Sequence, residues 1–140
     1  MSLINQESGD LAFSDGFCLR AGMPARELSE RLFAMREGIA CLPAHPTHGG
    51  SLAPVCQLEN GGLQLVTLHV ETINGKPCPG ADRRRAFLFS ALHLKDPCPD
   101  TRRSVKVRCP FGELMITTDP YTGQTSARIQ YVAREKPLVP

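Results

Sequence analysis

Hydrophobic positions change their period once along the chain. Between Pro24 and Glu37 they recur at steps of three and four, through Ala25, Leu28, Leu32 and Met35, while Arg26, Glu27, Glu30, Arg31 and Arg36 take the other faces. That spacing predicts an amphipathic helix over 24–37, with Pro24 suited to its first turn and Gly38 placed to end it. Two prolines and two glycines between Pro43 and Gly50 predict a loop. From there the period becomes two. Leu52–Leu58 and Leu63–Ile73 flank Glu59-Asn60-Gly61-Gly62, and Asn-Gly between two apolar runs predicts a hairpin. Val66, Leu68 and Val70 fall on one face of the second strand and Thr67, His69 and Glu71 on the other, which predicts a sheet with one wet side.

Further strands are predicted over 85–94, 104–109, 113–118 and 125–133. Asn74–Gly80 and Pro110-Phe111-Gly112 supply turns, and Asp119-Pro120-Tyr121-Thr122-Gly123 has the residues of a type I turn. Connections this short require antiparallel neighbours. The expected fold is a single α+β domain over 1–140, one amphipathic helix packed on an antiparallel meander of about six strands, with 1–10 and 134–140 frayed.

Composition changes this picture little. The 140 residues suit one domain, and 41% hydrophobic with 21% charged residues is ordinary for a globular chain. Sixteen Lys and Arg against fourteen Asp and Glu leave a net +2, too small for the one-signed field that nucleic-acid or anionic-membrane binding uses. No apolar run approaches the length of a membrane-spanning helix, and the first ten residues carry no secretory pattern, so the expected location is cytoplasmic. Cysteines 18, 41, 56, 78, 98 and 109 form no closely spaced pair. Cys18, Cys56 and Cys109 fall in predicted strands and read as packing residues. Cys41, Cys78 and Cys98 lie by Pro-rich loops, where redox or metal chemistry belongs.

Candidate chemistry is sparse. Cys41, His45 and His48 form the densest cluster, a thiolate and two imidazoles suited to zinc, with Cys56 as a fourth ligand from the adjacent strand. His69 and His93, on neighbouring predicted strands, are candidate bases for a cysteine nucleophile. Arg83, Arg84, Arg85, Arg102 and Arg103, with Arg108, bracket one strand region and form a candidate basic patch for an acidic partner, or else solvated, protected strand ends. No phosphate loop, H-E-x-x-H, G-x-S-x-G or dinucleotide fingerprint occurs, and Asp119 reads as a turn residue.

Two segments carry resemblances. Phe17-Cys18-Leu19-Arg20-Ala21-Gly22-Met23-Pro24, leading into Ala25-Arg26-Glu27-Leu28, resembles the strand, Gly-Met and helix opening of beta-lactamase-inhibitor-like domains and of small outer-membrane assembly lipoproteins. Phe111-Gly112 through Asp119-Pro120-Tyr121-Thr122-Gly123 to Tyr131 resembles the Trp-Gly, Asp-Pro-x-x-Gly hairpin of small uncharacterised bacterial proteins, some of them immunity-protein-like, with Phe111 in place of Trp. The resemblance implies a non-enzymatic protein-binding module, in its most concrete form an immunity protein neutralising a bacterial toxin. The alternative reading is a small metal-binding protein or enzyme built on the Cys41, His45 and His48 loop.

Overall fold

The computed structural model describes residues 3–28, 34–36, 38–77, 80–95, 104–118 and 124–131, without the side chains of 34–36 and 81. Its elements in chain order are β1 (Leu11–Ala12), β2 (Cys18–Leu19), α1 (Ala25–Leu28), β3 (Ala34–Arg36), β4 (Ile39–Cys41), β5 (His45–Thr47), β6 (Gly50–Glu59), β7 (Gly62–Ile73), β8 (Lys76–Pro77), α2 (Ala81–Ala91), β9 (Val105–Cys109), β10 (Gly112–Thr118) and β11 (Thr125–Tyr131). β1 and β2 form a small hairpin. The large antiparallel sheet runs β3-β4-β6-β7-β11-β10-β9, with β5 added to β6 and β8 to β7. No described helix is long and apolar enough to cross a membrane.

Alternation along the strands builds the core. One row crosses the sheet from Ala40 through Cys56, Val66, Ile129 and Leu114 to Val107, and the next runs from Pro54 through Leu68, Ala127 and Ile116 to Val105. All are buried except the two edge valines, which are half-buried. Asn60 and Gly61, both at positive φ (54° and 82°), close the β6–β7 hairpin as the Asn-Gly pair predicts. β7 holds two more residues than β6 because register shifts opposite Ser51/Leu52 and Gln57/Leu58 leave one residue extra at each. The phase change lets Leu63 face the core with Val66, and turns Gln64 so that its amide donates to the Tyr131 carbonyl.

Among the described residues, α2 and the N-terminal segment form a second layer on this face. α2 packs across β11, β10 and β7, and the N-terminal segment fills the remainder with Leu3, Ile4, Leu11, Phe13, Phe17 and Leu19. Gly9 shows how closely that segment approaches. At φ 81°, its carbonyl accepts the Tyr131 hydroxyl at 2.8 Å, and an added Cβ would stand 2.6 Å from the Tyr131 ring and 2.7 Å from Phe111.

Five expectations are corrected. Residues 85–94 are not a strand: α2 occupies Ala81–Ala91, and Arg85, Leu88, Phe89 and Leu92 are its buried stripe at helical spacing. The helix expected over 24–37 is helical at Ala25–Leu28, but Ala34–Arg36 is a strand paired with β4, so Gly38 (φ 82°) serves a hairpin connection rather than a helix end. The 43–50 loop contains strand β5, and the sheet exceeds six strands, so the fold is broadly α+β but mostly sheet. The beginning does not fray over residues 3–10: Leu3 and Ile4 are buried, and the Leu3 amide donates to the Ala91 carbonyl. The 119–123 turn and the 134–140 tail lie outside the described residues.

Candidate functional site

The best-defined polar arrangement joins the β1–β2 turn to β5. Asp15 has the short side chain that satisfies its own turn, its Oδ1 accepting the Phe17 amide at 3.1 Å. Oδ2 is thereby left facing His45 Nδ1 at 2.7 Å. The Ser14 amide donates to the Pro46 carbonyl at 2.9 Å, fixing the turn against β5. His45 pairs with Leu52 of β6, and its side chain, 5% exposed, sits on the covered side of the sheet. Its ring stacks on Phe17 (centroids 4.3 Å apart, planes 19° apart) and tilts against Phe13 at 5.4 Å. The hydrogen bond from His45 holds the Asp15 carboxyl below its ordinary range, opposed by burial.

A carboxylate at Nδ1 fixes the tautomer of a neutral imidazole, leaving Nε2 as the lone-pair atom. That atom is buried and has no hydrogen-bond partner among the described residues. Such an oriented nitrogen has the chemistry of a base, an acceptor or a metal ligand. A cleft of about 370 Å³ that does not include His45 is lined by Phe13, Ser14, Thr47, His48, Ser90 and His93, among others.

The expected zinc set is dispersed. His45 Nδ1 is engaged by Asp15, His48 is exposed in the β5–β6 turn, and Cys41 is half-buried on β4. No group of three His, Cys, Asp or Glu positioned to hold an ion occurs among the described residues. Cys56 is fully buried, and burial, with Cys41 adding to it, pushes its thiol up to about 12. Cys18, Cys41, Cys56 and Cys109 are free thiols; Cys78 and Cys98 lie outside the described residues.

Cys41 and His69 do line one cleft, with Ala53, Val55 and Arg84. Cys41 pairs with Val55 and His69 with Ala53, so they stand two strands apart and two residues out of register, about 12 Å between Cα atoms. Burial holds His69 below its ordinary value, against the pull of Glu71. His93 is not on a strand but follows α2.

Of the candidate arginines 83–85, 102 and 103, three lie among the described residues and differ in exposure. Arg83 is exposed on α2, Arg84 is half-buried, and Arg85 is 3% exposed with its guanidinium 5.1 Å over the Phe89 ring. Arg102 and Arg103 lie outside the described residues. Sequence reasoning missed Asp15; its signal is Asp15-Gly16 between two short apolar pairs, a hairpin-turn pattern.

The sheet's other face is the second candidate. One row crosses it from Cys41 through Val55, Thr67, Arg128 and Met115 to Lys106; a parallel row joins Gln57, Leu65, Gln130, Glu113 and Arg108. α2 and the N-terminal segment both pack on the opposite side. Comparison with protein-family models, curated proteins and solved structures finds no match to this chain.

Proposed function

We propose that the chain is a non-enzymatic protein-binding module that works through the open face of its sheet, and that its concrete role is that of an immunity protein neutralising a bacterial toxin in the cytoplasm. One observation carries this reading: among the described residues, α2 and the N-terminal segment both pack on one side, and the row from half-buried Cys41 to exposed Lys106 lies on the other. Six strands at about 4.8 Å spacing span about 24 Å, broader than a single helix of about 10 Å, so the face suits a folded partner. Its mixture of half-buried Val55 and Met115 with Thr67, Arg128 and Glu113 matches the part-apolar character of non-obligate interfaces. The test is capture of the product of a neighbouring gene by the purified chain. Arg128→Glu with Met115→Asp is expected to weaken capture with an unchanged circular dichroism spectrum. Absence of any such partner under stringent conditions overturns the reading.

A second reading rests on the buried Nε2 of His45, a preset ligand or acceptor atom. It predicts stoichiometric zinc in the purified protein, lost in His45→Gln and kept in Cys41→Ala, which stands on the other side of the sheet. A metal-free protein that takes up no added zinc removes this reading.

A further inference from the structure

We propose that β9 is a docking edge, where one extended acidic segment of a partner protein adds to the sheet as a further strand; this rests on the protein-binding reading and specifies its partner. β9 pairs with β10 on one side, and no described strand pairs with it on the other. Alternate residues of such an edge direct their backbone N–H and C=O groups away from the sheet, a template for main-chain pairing. Its side chains divide cleanly: Val105, Val107 and Cys109 are half-buried on the covered face, and Lys106 and Arg108 are exposed on the open one. An added strand therefore meets apolar neighbours and two cations at alternating positions, which asks for acids two residues apart between apolar residues. On the open face Glu113 stands opposite Arg108, while the row of Lys106 continues through Met115 to Arg128 with no acid in those three positions. The balance of Lys106, Arg108 and Arg128 against Glu113 is positive. A second copy of the chain is a poor occupant, because antiparallel self-pairing about Val107 sets Lys106 opposite Arg108 twice, like charge against like. A cleft of about 450 Å³ bounded by Arg108, Pro110, Glu113 and Gln130 lies at the turn end of β9, with room for a larger side chain of the added strand.

The experiment uses the full chain with synthetic Thr-Val-Glu-Val-Glu-Val-Thr, its counterpart with lysines for glutamates, and the glutamate peptide N-methylated at alternate amides. Binding is read by fluorescence anisotropy and by amide hydrogen exchange. The glutamate peptide is expected to slow exchange within 105–109, to bind about tenfold tighter than the lysine peptide, and to lose that preference in the Lys106→Glu, Arg108→Glu double variant. The N-methylated peptide, which lacks the main-chain donors of the edge that would face β9, is expected not to bind. Absence of protection within 105–109, equal binding of both charges, or binding of the N-methylated peptide overturns the proposal. A neighbouring-gene partner whose capture ignores the double variant overturns edge docking while leaving the protein-binding reading intact.

Discussion

At the residue scale, the contact between Asp15 and His45 makes stability depend on acid. A carboxyl held below its ordinary value of 3.8 contributes stability that is complete above that value and is lost as pH falls through the lower folded value. Urea midpoints of the wild type are therefore expected to fall more steeply below about pH 4 than those of Asp15→Asn, whose neutral amide has nothing to titrate. Thiol reactivity follows burial in the same way. Cys18 is exposed, whereas the Cys56 thiol is fully enclosed and pushed up to about 12. A thiol reagent at pH 8 is expected to label Cys18 in the folded protein and Cys56 only after unfolding, as mass spectrometry of the labelled peptides will report. Neither the Asp15 contact nor the enclosure of Cys56 is a local property. Asp15 and His45 are 30 positions apart, so no spacing rule joins them.

At the element scale, the C-terminus of α2 carries a Schellman motif with an unusual residue. The His93 amide donates to the Ser90 carbonyl at 3.1 Å and the Leu94 amide to the Phe89 carbonyl at 2.8 Å, with His93 at φ 56° where glycine is the common choice. His93→Gly is expected to stabilise the protein by about 1 kcal/mol, raising its thermal midpoint by about 3 °C in a calorimetric scan. Legibility also varies by element. The β6–β7 hairpin is readable because Asn60-Gly61 encodes its own turn and β7 alternates cleanly from Val66 to Val70. α2 is not, because its buried stripe includes Arg85 and follows two further arginines, so polarity does not mark the buried face; the Phe89 ring beneath the guanidinium is one of the contacts that accept it there. Ala34–Arg36 fits a helical stripe by sequence, and pairing with Ile39–Cys41 decides otherwise. Of the candidate site, the individual His and Cys residues were legible, but their separation onto opposite sides of the sheet was not.

At the scale of the whole molecule, the N-terminal segment is a structural member. Leu3 and Ile4 are 4% and 3% exposed, and Gly9 receives the Tyr131 hydroxyl from across the chain. Deleting residues 1–10 is expected to cost about 4 kcal/mol from the two aliphatic side chains alone, a large share of the roughly 5–15 kcal/mol that holds a domain folded. Urea denaturation of the truncated chain measures it. The order of the strands has a consequence of another kind. β11 lies between β7 and β10, so the last described strand of the chain pairs directly with the middle of the first large hairpin. During synthesis, β7 must therefore wait with an open, apolar edge until residues 125–131 have left the ribosome, and its protection in that interval falls to whatever escorts nascent chains.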